Sequence, residues 1–339
     1  MNNNNLVVLN DKGLYCSKGG FYIDPWRPVE RALITHAHSD HAKPGSKNYL
    51  AVDKSENLLK LRLGREIKVQ TVKYDEIINI NGIKVSFHPA GHILGSAQIR
   101  LEFDNEVIVV SGDYKTGEDF ICQRFEPIRC NTFITESTFG LPIYKWSSQE
   151  EIFDEVNNWW KQNIKEGKTS ILFGYSLGKA QRLISGLDST IGPILTHGAV
   201  ENINNCYRES GVNLPVTTYL GKINDKNFFK ESIIIAPPSG DNFLRMKRFE
   251  NVSRAFASGW MQVRGTRRWR PADRGFVLSD HADWDGLINT IKETGAERIF
   301  VTHGYVSPFV RWLKENGWNA FPLKTGFEGE NEEQKSKTL

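Results

Sequence analysis

Six consecutive residues, His36-Ala37-His38-Ser39-Asp40-His41, place four possible metal ligands in one short segment. The segment follows an apolar run at 29–35, which predicts a strand. Neutral imidazoles together with a carboxylate suit zinc or manganese. The alternative is a polar loop that holds scattered histidines, but the chain has only eight histidines and three of them lie here. A metal site is therefore the strongest constraint in this sequence.

The composition excludes several classes of protein. The chain has 339 residues, of which 39% are apolar and 24% charged, as in soluble globular proteins rather than disordered or fibrous ones. This length predicts two units, or one domain with a large insertion. No apolar run approaches the roughly 20 residues of a membrane helix, so we expect no membrane partner. No secretory signal is visible and the four cysteines form no CxxC pair, so we expect a cytoplasmic protein with free thiols.

Three further possible ligands, His92, Asp113 and His303, each follow a predicted strand. Taken singly, each such residue is more often a cap or a surface group. Loops at strand ends nevertheless present side chains from a rigid scaffold. Together with the four residues of the histidine-rich segment they supply seven ligands, which is enough for two metal ions that share a carboxylate.

The pattern of apolar residues predicts an α/β chain. Predicted strands lie at 29–35, 83–88, 97–103, 106–110, 132–135, 170–173, 193–196, 232–236, 275–278 and 298–302. Helices are predicted from Ser148 to Gly167, at 177–187 and at 283–294. Because strands and helices alternate between about 150 and 255, this part predicts a parallel α/β unit.

The ligands, in this order, resemble those of the metallo-β-lactamase-fold hydrolases. Asp24, in Tyr22-Ile23-Asp24, matches the aspartate that precedes the ligand loop. The resemblance implies a four-layer αβ/βα sandwich with its site at one edge of the sheets. It implies two divalent metal ions, with zinc favoured and manganese as the alternative. The implied ligands are His36, His38 and His92 for one ion, Asp40, His41 and His303 for the second, and Asp113 as the bridge.

The resemblance sharpens to the β-CASP nucleases, which carry an inserted cap. Their first additional motif matches Glu136, their second matches His281 and their third matches His303. The long stretch between Asp113 and His303 leaves room for such a cap. The resemblance implies a metallo-β-lactamase domain in two parts, 1–148 and 263–339, and an α/β β-CASP cap at 149–262.

Within that group the chain most resembles the bacterial DNA-ligase-associated exonucleases. The resemblance rests on 256–261, on 264–275 and on Ser279-Asp280-His281. It implies a DNA exonuclease in DNA repair, associated with an ATP-dependent DNA ligase and a helicase. An RNA-processing β-CASP ribonuclease is the alternative, because RNA enzymes of the group carry a histidine at the position of His303. A small-molecule metallo-hydrolase is a weaker alternative, since it leaves Glu136 and His281 unexplained.

A basic stretch supports binding of nucleic acid. Residues 245–274 include nine basic and two acidic side chains, a net charge of +7 against +3 for the whole chain. Arginine suits bidentate contact with phosphate, and tryptophan stacks on unpaired bases. The candidates are Trp260, Arg264, Arg267, Arg268 and Arg270. The alternative is a solvated basic face.

A second candidate for phosphate binding is the segment 174–181, with Ser176, Gly178 and Lys179. It follows a predicted strand and opens a predicted helix, where free amides hold anions. A plain helix cap is the alternative on sequence grounds.

The implied reaction is two-metal hydrolysis of a phosphodiester. In this hypothesis Asp113 bridges the ions, and Asp24 orients the nucleophile or accepts its proton. His281, polarised by Glu136, protonates the departing oxygen.

Overall fold

The computed structural model describes residues 6–223, 225–241, 249, 251–263 and 272–324. These residues form a mixed α/β structure with three β-sheets. They divide into two compact units. The first unit comprises Met1–Glu118, Cys122–Ile143 and His281–Leu339, and the second comprises Asp119–Ile121 and Tyr144–Asp280. None of the described helices combines the length and the apolar character needed to cross a membrane.

The secondary-structure elements are numbered in chain order. The strands are β1 (Val7–Asn10), β2 (Gly13–Cys16), β3 (Phe21–Ile23), β4 (Arg31–Leu33), β5 (Asn48–Val52), β6 (Val69–Val72), β7 (Ile78–Ile80), β8 (Ile83–Pro89), β9 (Ala97–Phe103), β10 (Glu106–Val110), β11 (Thr132–Glu136), β12 (Thr169–Phe173), β13 (Ile194–Thr196), β14 (Thr218–Tyr219), β15 (Ile233–Ala236), β16 (Val252–Ala257), β17 (Arg274–Phe276), β18 (Arg298–Thr302) and β19 (Ala320–Pro322). The α-helices are α1 (Glu56–Leu63), α2 (Gln149–Lys165), α3 (Lys179–Ser185), α4 (Gly198–Glu209), α5 (Lys226–Glu231), α6 (Trp284–Thr294) and α7 (Val306–Glu315). Short 3-10 helices lie at Asp53–Ser55, Leu220–Lys222, Pro238–Gly240 and Gly259–Gln262.

Two sheets build the first unit. One has six strands in the order β1 to β6, and the other has seven in the order β19-β18-β11-β10-β9-β8-β7. They pack face to face, because Leu33 of the first sheet shares a core with Phe87 and Ile99 of the second. Alternate residues of β9 point into this core, as the period of a strand requires.

The other face of the second sheet is covered by α6 and α7. Phe133 and Val301 pack there against Leu287 and Phe309, and all four side chains are fully buried. Burying an apolar side chain of this size contributes about 1.5–3 kcal/mol. Asp283 caps α6, since its Oδ1 accepts a hydrogen bond from Gly286 N at 2.8 Å.

The topology of the second sheet brings several strand ends to one edge. β10, β11 and β18 are parallel neighbours. β8 runs in the same direction as β10, because each is antiparallel to β9. The carboxyl ends of β8, β10, β11 and β18 therefore lie at the same edge. The residues there are His92 after β8, Asp113 after β10, Glu136 at the end of β11 and His303 after β18.

The second unit contains a six-stranded sheet in the order β14-β13-β15-β12-β16-β17. All its strand pairs are parallel, which confirms the predicted parallel α/β unit. Helix α2 begins as predicted at Ser148, whose Oγ accepts a hydrogen bond from Glu151 N. The sheet core includes Ile171, Leu195 and Ile234, all fully buried.

The second unit extends beyond residue 262, where the sequence ends the proposed cap. Strand β17 at Arg274–Phe276 pairs with β16 and so belongs to the sheet of the second unit. The domain division at 148/149 and 262/263 stays a prediction.

Candidate metal centre

The carboxylate of Asp113 lies among three imidazole rings. Its Oδ2 is 3.6 Å from Nε2 of His36, 3.5 Å from Nε2 of His41 and 3.8 Å from Nε2 of His92. Asp113 is 5% exposed, and none of the three histidines exceeds 1%. One buried carboxylate therefore faces imidazoles from two different loops, which is the position that a bridging ligand requires.

The remaining predicted ligands lie around this carboxylate in two groups. Nδ1 of His38 is 3.0 Å from Nε2 of His92. Asp40 Oδ2 is 3.7 Å from Nε2 of His41, and the ring of His303 stacks on that of His41 at 5.0 Å between centroids. Within each group the potential ligand atoms lie within 4.8 Å of one another. The groups are His36, His38, His92 and Asp113, and Asp40, His41 and His303.

Glycine conformation brings the loop before Asp113 close to the histidine-rich loop. Gly112 has φ +58, in the region that side chains disfavour. A Cβ atom there would lie only 2.7 Å from Cβ of Thr35. The absence of a side chain at this position lets the chain of Asp113 pass against the residue that precedes His36.

Asp24 contacts the histidine-rich loop through hydrogen bonds. Its Oδ2 is 2.7 Å from Nδ1 of His41, and its Oδ1 accepts a hydrogen bond from Thr35 N at 2.8 Å. The hydroxyl of Thr35 also lies 3.1 Å from Nδ1 of His36. With both Nδ1 atoms engaged, Nε2 of His36 and of His41 face Asp113, as in histidines that bind metals.

The contacts of Asp24 position the residues beside it. Both of its carboxylate oxygens accept hydrogen bonds from Thr35, and Oδ2 also contacts His41. The predicted role of Asp24, as an orienting group or a proton acceptor for the nucleophile, stays a prediction.

The chemistry of the donor set fits divalent cations. Within the described part of the chain, neither Nε2 of His36 nor Oδ1 of Asp113 has a hydrogen-bond partner, although both atoms are buried. A buried polar atom without a partner costs about 1–3 kcal/mol. A cation at this position would satisfy both atoms, and imidazole with carboxylate is a donor set for zinc or manganese.

Burial and charge shift the pKa values of the ligand residues in opposite directions. Burial lowers the pKa of His303, and holds that of His36 well below its usual value. Burial also opposes charge on His41, but the carboxylates of Asp113 and Asp40 outweigh it and raise the pKa of His41 well above normal. Burial likewise opposes charge on Asp113, yet the neighbouring His41 holds the pKa of this carboxyl well below its usual range.

Glu136 and His281 form a buried pair beside the ligands. Nδ1 of His281 lies 3.0 Å and 2.9 Å from the two carboxylate oxygens of Glu136. The backbone amide of Tyr114 donates to Oε1 of Glu136 at 2.8 Å. The ring of His281 is 4.5 Å from the ring of His92. The carboxylate thus fixes Nδ1 of His281, the first of its two ring nitrogens, and with it the orientation of the ring.

Known proteins resemble this chain over most of its length. A protein named probable DNA ligase from Opitutus terrae is 26% identical over 313 residues, covering 92% of this chain and 30% of that protein. Endoribonuclease YSH1 of Saccharomyces cerevisiae is 24% identical over 308 residues, covering 72% of this chain and 38% of that protein. Cleavage and polyadenylation specificity factor 73 of Drosophila melanogaster is 27% identical over 123 residues, or 36% of this chain and 18% of that protein.

These relatives point to the metallo-β-lactamase/β-CASP nuclease superfamily. The chain spans only about a third of the length of the first two of these relatives. No protein-family model matches it. A solved structure of a protein of unknown function from Enterococcus faecalis shares the fold, with a TM-score of 0.57 and 11% identity over 88% of this chain and 80% of that one.

Two of the predicted nucleic-acid contacts, Gly178 and Lys179, have partners within the protein. Lys179 is 1% exposed, and its Nζ lies 3.4 Å from Oδ2 of Asp280, so it belongs to an internal ion pair. The amide of Gly178, which the phosphate hypothesis needs, donates to Oε1 of Gln181 at 2.8 Å. The alternative interpretation of this segment as a helix cap therefore explains both residues.

The other predicted nucleic-acid contacts stay predictions. Ser176 is partly exposed, and Trp260 is partly exposed with its ring 5.7 Å from that of Tyr144. Four of the predicted contacts lie outside the described residues, namely Arg264, Arg267, Arg268 and Arg270.

Sequence reasoning missed several residues that make buried polar contacts in the structure. Thr35 connects Asp24 to His36 through hydrogen bonds. Its place directly before the first histidine was the available signal, since hydroxyls beside ligands often orient them. Arg182 and Asp280, which form a buried ion pair, were also missed, because nothing in the sequence shows that residues so far apart meet.

Proposed function

We propose that this chain is a metal-dependent nuclease that hydrolyses DNA phosphodiester bonds as an exonuclease in DNA repair. The observation that carries the proposal is the buried carboxylate of Asp113 among three imidazoles, with the Glu136–His281 pair beside it. A small-molecule hydrolase would need the ligands but has no evident use for that second pair. The relative named probable DNA ligase supports DNA as the substrate.

Seven side chains would hold two divalent cations. His36, His38 and His92 would bind one, and Asp40, His41 and His303 the other, with Asp113 between them. We favour zinc because imidazole predominates, and manganese is the alternative. Such ions, when bound, lower the pKa of a coordinated water and neutralise charge on a phosphoryl group.

The chain's own proton chemistry centres on His281. Water adds to phosphorus and releases one proton to the surrounding solvent, the bond from phosphorus to the leaving oxygen breaks, and the leaving oxygen takes a proton from Nε2 of His281, which regains it from solvent. Glu136 holds Nδ1 at 2.9 Å, which fixes the ring and stabilises the protonated imidazole. Proton transfer of this kind contributes about 10²–10⁴-fold to a rate.

A second candidate function is RNA processing with the same chemistry. It is favoured by the relatives named endoribonuclease, one of which matches 72% of this chain. A direct comparison of substrate preference separates the two functions.

The proposal extends to the architecture of the domains and to the partner proteins. We infer a four-layer αβ/βα sandwich for the metallo-β-lactamase domain, interrupted by a β-CASP cap at 149–262. We also infer a functional association with an ATP-dependent DNA ligase and a helicase. The name of the Opitutus relative supports the ligase.

A matched substrate panel tests the proposed function. End-labelled single- and double-stranded DNA and RNA of one sequence are digested with zinc and with manganese. We expect mononucleotides from DNA and little cleavage of RNA. Cleavage of RNA alone would select the ribonuclease, and absence of any phosphodiester cleavage would overturn both candidates.

A pair of histidine variants ties the activity to the site. His281→Ala should lower kcat by about 10²–10⁴-fold. His88→Ala is the control, because His88 also contacts a carboxylate, Asp75 at 2.6 Å, but lies away from the ligand groups. Equal losses in the two variants would contradict the role of His281.

A further inference from the structure

A buried arginine of the second unit binds two carboxylates from distant parts of the chain. Nε of Arg182 is 2.5 Å from Oδ2 of Asp119, and its Nη1 donates to Oδ1 of Asp280. Lys179, one turn earlier in α3, adds a contact of 3.4 Å to the other oxygen of Asp280. No side chain of this cluster is more than 2% exposed.

The cluster balances two positive against two negative charges. Desolvation of buried ions is costly, and apolar residues of similar volume often stabilise a protein as well or better. Such a cluster is best explained by the geometry that it enforces. The planar guanidinium group of Arg182 presents its donors in a rigid fork and so fixes the geometry of two carboxylates, whereas the ammonium group of a lysine is a point charge on a flexible stem.

Asp280 immediately precedes His281 in the chain. On the other side of His281, the amide of Ala282 donates to the carbonyl of Tyr114 at 2.7 Å. The side chain of His281 contacts Glu136. Arg182 thus fixes the backbone that precedes His281, through Asp280, and Tyr114 fixes the backbone that follows it.

We propose that Arg182 and Asp280 are positioning residues for proton transfer by His281. Their ion pair fixes the peptide that carries His281, and so holds Nε2 where it meets the leaving oxygen. Asp119 completes the cluster by holding the second edge of the guanidinium group. This inference rests on the proposed function, in which His281 supplies the proton.

Leaving-group dependence tests the inference with Asp280→Asn. DNA needs a proton on its leaving oxygen, whereas bis-p-nitrophenyl phosphate releases a stable phenolate without one. A displacement of about 1 Å can cost about 10²-fold in rate, so we expect kcat on DNA to fall at least about tenfold. KM, bound metal and kcat on the nitrophenyl ester should stay near those of the wild type.

Glu201→Gln is the matched control. It removes a carboxylate of the second unit that pairs with Arg208 at 3.3 Å and has no place in the cluster. This variant should keep its ratio of DNA to ester activity. If Asp280→Asn loses both activities equally, its role is structural and the inference is overturned.

Two further variants keep the test decisive. His281→Ala must show the same leaving-group dependence, and if it does not, the proposed proton transfer fails rather than this inference. If His281→Ala shows the dependence and Asp280→Asn does not, only the inference fails. If thermal denaturation shows that Asp280→Asn is not folded, Arg182→Lys is tested in its place. That variant keeps the charge but loses the second contact, and unchanged kcat on DNA would overturn the inference.

Discussion

Oδ2 of Asp113 lies 3.5 Å from Nε2 of His41 and 3.6 Å from Nε2 of His36. These two histidines belong to the two different ligand groups. The same carboxylate raises the pKa of His41, although burial opposes it. Asp113 therefore connects the two groups of potential ligands, since its negative charge lies beside histidines of both.

Asp24→Asn should weaken metal binding without removing a ligand. The side-chain amide of asparagine accepts hydrogen bonds only at its oxygen. The contact with Nδ1 of His41 at 2.7 Å is therefore weakened. Outer partners of this kind contribute about 10–100-fold to metal affinity. Competition with a chelator measures this change. Asp11→Asn, at an exposed pair with Arg27, is the control, and equal affinities of the two variants would contradict the account.

Glu136→Gln should reduce turnover but leave both metal sites filled. Loss of the carboxylate removes the charge that stabilises protonated His281 across 2.9 Å. We expect kcat to fall ~10- to 1,000-fold, within the range that proton transfer supplies. Single-turnover kinetics and metal analysis measure the two effects separately. The control is Glu106→Gln, which removes a partly exposed carboxylate paired with Arg298. Loss of metal from Glu136→Gln would make Glu136 a ligand.

Gly112→Ala should damage the site more than an equivalent change elsewhere. Both Gly112 and Gly82 have positive φ, +58 and +87, but only the new Cβ at Gly112 meets Thr35, at 2.7 Å. Left-handed backbone alone costs roughly 1–2 kcal/mol, which is the loss expected for Gly82→Ala. We expect a larger loss and reduced metal binding for Gly112→Ala, measured by thermal denaturation and metal analysis. Similar losses in both variants would exclude the contact with Thr35 as the cause.

Glu201 should make the stability of the second unit depend on acidic pH. Burial opposes its charge, but hydrogen bonds from Thr196 and Thr217 at 2.5 Å and 2.7 Å outweigh burial and lower its pKa. A folded-state pKa below the unfolded value of about 4.3 gives stability that is complete above pH 4.3 and is lost as pH falls through the folded pKa.

The variant Glu201→Gln isolates this contribution. Hydrogen bonds to a charged group contribute about 1.5–3 kcal/mol, so the variant should be less stable than the wild type at pH 7. The difference should shrink as the pH falls below the unfolded pKa and the wild-type carboxyl becomes protonated. Chemical denaturation at pH 7 and over a series of acidic pH values measures it, and a difference that grows on acidification would reverse the sign and refute the assignment.

Much of the second sheet could be predicted from the sequence, because its strands alternate. The predicted strands at 97–103, 106–110 and 298–302 coincide with β9, β10 and β18. The strands of the first sheet other than β4 were not predicted, because most are short and lack clear alternation. The prediction at 29–35 was longer than β4 at Arg31–Leu33, since the apolar run continues into the loop that carries the histidines.

The ligands could be predicted because few residue types bind metals and they cluster in the sequence. The structure places these seven side chains in two groups, and Asp113 of the first contacts His41 of the second. Their role as metal ligands stays a prediction. The contacts of Asp24 and Lys179 could not be predicted, since they join residues far apart in the chain. Asp24 contacts His41, and Lys179 contacts Asp280. Both contacts depend on tertiary packing, which leaves no local pattern in the sequence.

The most direct test of the account is the metal content of the wild type and of Asp113→Asn, located by anomalous diffraction at the metal edges. The account predicts two ions in the wild type, one beside His36, His38 and His92 and the other beside Asp40, His41 and His303. In the variant it predicts weakened binding at both positions and the loss of phosphodiester hydrolysis. Two fully bound ions with hydrolysis intact in Asp113→Asn, or ions bound away from these histidines, would contradict it.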